Sequence, residues 1–262
     1  MPKDAVGTLV REWRGLRHRS QLDLALEVGV SARHLSFVET GRAKPSPELV
    51  IALAEGLDVP LRERNTMLLA AGYAPRYGET SLSDPSMAMM HAAIQRLLDA
   101  HDPYPGLVID RHWNVVLTNR AAAMLVTGLP PELLGPPINV YRVCLHPDGL
   151  AAYTRNFPAW ASYLLHQLRR SVVLTNDPTL VDLQDEVGSY PNVIELTRGL
   201  RGAAWDEPPL LIPVVLDIAG AVLSFFTTLT TFGTPRDITL DELAVELFFP
   251  ADPETEASLR SS

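Results

Sequence analysis

The chain has 262 residues, 47% of them apolar, enough for two domains with a core each. Its single cysteine, Cys144, excludes an intrachain disulfide framework, the amino terminus has no apolar core of signal-peptide length, and no uncharged run is long enough to span a bilayer, so a soluble, cytoplasmic protein with no membrane partner is expected. The formal net charge of −9 argues at first against a nucleic-acid partner, but residues 1–78 carry 11 Lys and Arg against 9 Asp and Glu, and the remainder carries 11 against 22, so the excess acid lies wholly in the second part.

In chain order, Asp4 is placed to cap a first helix over residues 5–17, with Val6, Leu9, Val10, Trp13 and Leu16 inward. Residues 21–41 read as two short helices joined by a tight turn. The first, residues 21–28, carries Leu22, Ala25, Leu26 and Val28 at helical spacing. Gly29 stands where a helix C-terminus wants positive φ, Val30 plugs the corner, and Ser31 can cap the second helix. In that second helix Leu35 and Val38 face inward, which leaves Ala32, Arg33, Ser36 and Phe37 outward or on the flanks. This is the anatomy of a helix-turn-helix, whose second helix lies in the DNA major groove with its N-terminal residues against base edges. Ser46-Pro47-Glu48 then starts a helix over residues 47–57 that buries Leu49, Val50, Leu53 and Leu57. A fifth helix, residues 61–71, closes an all-α, five-helix domain.

Residues 5–72 resemble the XRE-type helix-turn-helix module of phage repressors, with a lambda-repressor-like fold. The matching residues are Arg14 and Arg17, Gln21, Ala25, Gly29-Val30-Ser31, Leu35, Ser36, Glu39 and Gly41-Arg42. The resemblance implies that Gln21, at a helix N-terminus, donates to a phosphate of double-stranded DNA. It implies too that Ser31, Ala32, Arg33, Ser36 and Phe37 form the base-reading helix face, Arg33 being suited to guanine, and that Arg42 and Lys44 hold the backbone. Asp23 departs from the family pattern and bears on phosphate approach. Seven basic and four acidic residues lie between Arg11 and Lys44, a modest surplus that calls for a homodimer on two half-sites. The competing reading is a helical bundle used only for protein contacts.

Residues 77–104 are a linker and connecting helix between the first domain, residues 1–76, and the second, residues 105–262. The helix, residues 85–100, offers Met87, Met90, Ile94, Leu97 and Leu98 for packing or for a dimer contact. Residues 105–109 and 112–118 are short β-type runs split by Asp110-Arg111, read as a hairpin, and Asn119 caps a helix after them. Residues 138–170 look helical except at His146-Pro147-Asp148-Gly149, and a further helix covers residues 177–187. Two apolar runs, residues 210–218 and 222–232, form a second hairpin around Ala219-Gly220-Ala221, and such uninterrupted runs mean that both faces of the sheet are covered. The whole reads as an α+β domain with an antiparallel sheet.

The strand–strand–helix order at residues 106–125 resembles the opening of a PAS domain. The second part as a whole resembles the ligand-binding domain of MmyB-like transcription regulators. The residues behind this are Trp113-Asn114-Val115-Val116, Asn119, Ala121-Ala122, Asn139, Arg142, His146-Pro147-Asp148-Gly149-Leu150 and the closing Phe248-Phe249-Pro250-Ala251-Asp252. The resemblance implies a PAS-like pocket for a small lipophilic molecule such as a fatty acid.

Met124, Leu164, Val215, Phe225 and Phe226 are candidates to line that pocket, with Trp113, Trp160 and Tyr163 as aromatic neighbours. Arg142, His146 and Asn156 are candidates for a carboxylate head group, with Asn119 nearby in the same set. Each has a structural alternative: Asn119 as a helix cap, His146-Pro147 as a turn, Arg142 in a surface ion pair. Cys144 and His146 suggest a thiol with a base, but their spacing shares a face only in a strand and no oxyanion-hole motif accompanies them. No histidine has ligand-spaced partners and no phosphate-binding glycine loop is present, so no metal, cofactor or catalytic residue is expected. The remaining alternative is a second domain that serves only as a dimerisation or partner platform.

Overall fold

A computed structural model describes residues 5–175, 177–199, 211–218 and 220–260. Asp4 as a cap, Leu210 at the start of an apolar run and Ala219 in its turn lie outside the described residues. The chain divides into two compact units, Met1–Ser81 with Phe232–Asp241, and Leu82–Thr231 with Glu242–Ser262.

The first unit opens with α1 (Ala5–Leu16), α2 (Gln21–Glu27), α3 (Ala32–Glu39), α4 (Pro47–Gly56) and α5 (Leu61–Ala70). Three serines set the starts of α2, α3 and α4: Ser20, Ser31 and Ser46 each accept from the backbone N–H three residues on. Gly29, at φ 74°, makes the turn between α2 and α3 that a Cβ would strain. Val10, Leu24, Leu35, Leu53 and Met67 fill the core. Leu22 (58% exposed) and Leu26 (70%) face solvent, against the sequence expectation, and Leu16 is largely exposed too. Helix α2 is a seven-residue segment with leucines at positions 22, 24 and 26, so two different stripes are available to it; packing against α3 and α4 selects Leu24 and Ala25. A glycine lets α1 cross the end of α3, since a Cβ at Gly7 would stand 2.4 Å from the Val38 carbonyl oxygen.

This unit holds more than its first five helices. Residues 232–241 belong to it, although some 150 residues of the other unit intervene (82–231). Pro60 offers no side-chain cap to α5, and Asp241 supplies one, its Oδ2 accepting from the Leu61 N–H at 2.9 Å. Asp237 accepts from the Thr80 hydroxyl at 2.7 Å, and the Ile238 N–H donates to the Gly78 carbonyl at 2.8 Å.

In the second unit a short turn, Pro85–Met87, leads into α6 (Ala88–Asp99). Strands β1 (Gly106–Ile109) and β2 (Val115–Thr118) follow, then α7 (Arg120–Leu125), α8 (Val140–Leu145) and α9 (Phe157–Thr175). Helices α10 (Pro178–Gly188) and α11 (Pro191–Gly199) precede β3 (Val214–Ile218) and β4 (Ala221–Thr231). After α12 (Ile238–Glu242), all but the last residue of which belongs to the first unit, β5 (Ala244–Pro250) enters the middle of the sheet, and α13 (Pro253–Arg260) follows it. The sheet is antiparallel throughout, in the order β2-β1-β5-β4-β3. The β1–β2 connection is wider than the expected turn at Asp110-Arg111. Residues 110–114 make it, with Asp110 Oδ1 accepting from the N–H groups of His112 and Asn114 and with Trp113 at φ 64°.

Register fixes what each face carries. Val108 pairs with Val245 and Gly106 with Leu247 on the face that α6 covers, where a Cβ on Gly106 would sit 3.3 Å from Leu98. Val214, Leu216, Leu223 and Phe225 point the other way, into a core shared with Tyr141 of α8, Trp160 and Leu164 of α9, and Leu183 of α10. Glu246 pairs with Leu107 on one side and Leu229 on the other, so this charged residue lies on the central strand.

Candidate functional site

The outward face of α3 is built around an aromatic ring. The guanidinium of Arg33 lies 5.3 Å and that of Arg42 5.9 Å from the Phe37 ring centre, so two exposed cations flank one platform. Ala32 and Ser36 are half-buried beside it. Ser31 spends its hydroxyl oxygen on the His34 N–H as the helix cap. Lys44 is exposed, its ammonium 4.6 Å over the ring of Tyr73.

Behind that face lies a buried charge that sequence reasoning treated only as a family match. Glu39 is 3% exposed and ends α3. Arg14 donates to it from Nε at 2.7 Å and from Nη2 at 3.1 Å, Gln21 donates from Nε2 at 2.7 Å, and Arg11 stands 3.8 Å away. Burial pushes the Glu39 carboxyl up, but the bonds from Arg14 and Gln21 and the charges of Arg14 and Arg11 outweigh it and hold the group below its ordinary range. Gln21, expected at a phosphate, thus has its amide turned inward to Glu39. Arg17 is a structural residue as well: it stacks on Trp13 and donates to the Leu57 and Asp58 carbonyls at the end of α4. Asp23 pairs with its own cap, accepting from the Ser20 hydroxyl at 2.6 Å.

In the second unit the three residues expected at a carboxylate do not share a place. Arg142 forms a two-pronged bond with Glu186, both contacts at 2.7 Å, and Tyr190 donates to the same carboxylate at 3.0 Å. His146 packs edge-on against Tyr190, with ring centres 4.9 Å apart, so it joins that cluster. Asn156 lies elsewhere. It clamps β3, donating to the Pro213 carbonyl and accepting from the Val215 N–H. Asn119 is buried and fully engaged, accepting from the N–H groups of Gly106 and Ala122 and donating to the Leu98 and Tyr104 carbonyls. Apart from the cap that Asn119 makes to the Ala122 N–H, sequence separation hid these partners; Glu186 is 44 positions from Arg142.

The expected lining residues divide in the same way. Phe225, Trp160 and Leu164 are buried in the core beneath the sheet, and Tyr163 stacks on Trp160 at 5.4 Å. Val215 alternates away from them, opposite Ser224, and Phe226 stacks on Phe249 on the other face. Met124 is 56% exposed, so it does not line a buried space. Trp113, held at positive φ, presents its ring edge-on to Tyr141 at 5.0 Å.

Tyr141 leads to a group that the sequence did not flag. Its side chain is wholly buried, and among the described residues neither its hydroxyl nor Oε2 of the buried Glu246 has a hydrogen-bond partner. Burial pushes the Glu246 carboxyl up to about 7, with a hydrogen bond from Thr227 pulling against it. Burial, then the Glu246 charge, pushes the Cys144 thiol up to about 12, so at neutral pH it is a thiol and a poor nucleophile. Tyr141 and Cys144, one turn apart on α8, both feel the charge of Glu246.

A helix-turn-helix unit and a separate antiparallel sheet sheathed by helices define the class of this protein. A family model for the MmyB-like transcription regulator ligand binding domain matches residues 90–261, and a helix-turn-helix model matches residues 10–64. The chain belongs to the MmyB-like transcription regulator family, with an XRE-type helix-turn-helix ahead of the ligand-binding domain. It is similar to uncharacterised HTH-type transcriptional regulators of Mycobacterium tuberculosis and Mycobacterium bovis, 31% identical over 133 residues that make up 48% of this chain and 45% of theirs. The chain thus matches less than half the length of these curated relatives. Among solved structures it is similar to the clp gene regulator ClgR of Corynebacterium glutamicum, at 27% identity over 28% of this chain and 92% of that one, with a TM-score of 0.25. A second structure of that regulator gives 25% identity over 38% and 94%, with a TM-score of 0.24.

Proposed function

We propose that the chain is a one-component transcription regulator and not an enzyme: α3 reads operator DNA, and the second unit binds a small lipophilic molecule that changes how well it does so. The observation that carries the DNA half is the exposed pair Arg33 and Arg42 on the Phe37 platform, held rigid from behind by Glu39 and Arg14. Arg33 is the base-reading residue and Arg42 and Lys44 hold phosphates, in a cytoplasmic homodimer that spans two half-sites. Gln21 reaches phosphate through the N-terminus of α2 more than through its amide. We read the second unit as a PAS-like sensor, in which a ligand displaces the packing of α8 and α9 on the sheet. Regulation requires that the ligand favour one arrangement over another.

A fatty acid is the ligand that the family resemblance suggests, but Arg142 is already held by Glu186, so its carboxylate needs another partner. No described helix is long and apolar enough to cross a membrane. A second reading, in which the unit is a dimerisation or partner platform, is favoured by the outward face of α6, where Met89 is 82% and Leu97 45% exposed. Organic extraction of the purified protein followed by mass spectrometry separates the two. A lipophile recovered in proportion to protein supports the sensor. An empty extract, together with a melting temperature indifferent to lipophiles, supports the platform.

A further inference from the structure

Strands β4 and β5 are antiparallel neighbours, and their last rung pairs Thr231 with Ala244. A hairpin between such strands needs only about two to five residues. Here residues 232–243 make the connection, and most of them, 232–241, belong to the first unit. What the added length does is visible in its hydrogen bonds. Asp237 accepts from the Thr80 N–H and, at 2.7 Å, from the Thr80 hydroxyl. The Ile238 N–H donates to the Gly78 carbonyl at 2.8 Å, and the Ile238 side chain is buried. Asp241 accepts from the Leu61 N–H at 2.9 Å. Leu61 is the first residue of α5, so no carbonyl of its own helix can take that N–H, and Asp241 supplies the cap that Pro60 cannot. The next residue, Glu242, belongs to the second unit and pairs with Arg111 of the β1–β2 connection at 3.7 Å. Arg111 in turn meets Asp177 at 3.2 Å, the carboxylate that caps α10 and also bonds His112.

We propose that the β4–β5 connection is a coupling arm, which carries changes in the sheet of the ligand-binding unit to α5 of the helix-turn-helix unit. This rests on the reading of the second unit as a lipophile sensor and adds the route by which the signal leaves it. Asp241 and Glu242 are consecutive in α12, so one peptide bond joins a helix cap in the first unit to an ion pair in the second. A loop that only turned the chain would need neither. A slide of β5 against β4, or a shift of α10 that draws Asp177 from Arg111, moves α12 and with it the carboxylate at the start of α5. From there the path to the base-reading helix is short. Helix α5 packs on α1, and α1 carries Arg14, which grips Glu39 at the end of α3. Loss of such a cap shifts a local equilibrium by about threefold to thirtyfold, which overlaps the roughly 5- to 150-fold range of allosteric couplings.

The test is amide hydrogen exchange of the full chain, read residue by residue by NMR. Asp241→Ala should speed exchange of the Leu61 amide by about threefold to thirtyfold, and Asp241→Asn, which keeps an acceptor, should stay near wild type. Arg111→Ala, a change in the other unit, should speed the same amide at least about threefold. Arg142→Ala, which breaks the pair with Glu186 away from the arm, should leave it unchanged. If Arg111→Ala frees only amides near Thr179 and leaves Leu61 as it was, the arm is overturned. A second measurement separates the arm from the sensor: titration of a DNA fragment from upstream of the gene, with and without sodium dodecanoate below its aggregation concentration. An affinity that responds to dodecanoate in wild type, but not in an Asp237→Ala, Asp241→Ala double variant that still binds DNA, supports the arm. A double variant that responds as wild type does overturns the arm and leaves the sensor reading intact. A wild type indifferent to dodecanoate counts against the sensor reading, and the exchange result alone then decides the arm. Should circular dichroism show the double variant unfolded, Arg111→Ala takes its place in the titration.

Discussion

Arg14 Nε donates to Glu39 Oε1 at 2.7 Å, joining the first helix of the chain to the buried end of the helix proposed to read DNA. The carboxylate side chain is 1% exposed and the guanidinium 18%, so water offers neither much relief if the other is removed. Glu39→Ala therefore costs about 3–5 kcal/mol of folding stability, the range for breaking a buried pair, and Arg14→Ala costs a similar amount by stranding the acid. Urea unfolding followed by circular dichroism measures both.

The same bond makes the first unit acid-sensitive. The carboxyl of Glu39 is held below its ordinary value of 4.5, so the folded state binds its proton less readily than the unfolded chain. Its contribution is fully present above pH 4.5 and is lost as pH falls through the lower folded value. Glu39→Gln removes that dependence, and the wild-type and variant melting curves converge in acid.

Glu246 works in the opposite sense. Its carboxyl, pushed up to about 7 in the fold against 4.5 unfolded, keeps a proton that the unfolded chain releases between those values. Stability is greatest below pH 4.5 and is lost as pH rises through 7, with a total on the order of 3 kcal/mol. The groups against it, Tyr141, Cys144 and the Thr227 hydroxyl, stay neutral across that window. Glu246→Gln should match wild type at pH 5 and melt higher at pH 8. A mutation that stabilises by deleting a buried charge is the mark of a residue kept for something other than stability.

The first unit was largely legible because its signals are local. Ser31, Gly29 and Ser46-Pro47 act within three or four residues of themselves, and the caps they form are those the chain announces. Where two local answers were equivalent, as between Leu22, Leu24 and Leu26, only packing decided. Strand β5 went unread because Glu246 interrupts Ala244-Val245 and Leu247-Phe248 with a residue that a sheet interior disfavours. The site was less legible than the fold for a related reason. Arg142 looks ready for a ligand anion until Glu186 is brought to it, and Gln21 looks ready for a phosphate until Glu39 is. The buried acid of the central strand, Glu246, carried no motif at all.

On DNA, Arg33→Ala should cost about 1–3 kcal/mol and relax preference at one operator position, while Lys44→Ala should weaken all sequences alike and lower the salt slope by about one. Binding to a panel of single-base operator variants at several salt concentrations distinguishes the two roles.

The exposed apolar stripe of α6 is the expected dimer contact. Met89→Glu with Leu97→Glu, two positions that carry 82% and 45% exposure in the single chain, should shift sedimentation toward monomer and weaken operator binding. Folding should be unaffected, since neither side chain is buried.

Most directly, a fragment from upstream of the gene for this protein can be titrated with purified protein at low salt, with and without added lipophile. A discrete shifted complex, lost in Arg33→Ala and changed in affinity by the lipophile, is the expected result. No shift under either condition contradicts the assignment of α3 as a DNA-reading helix.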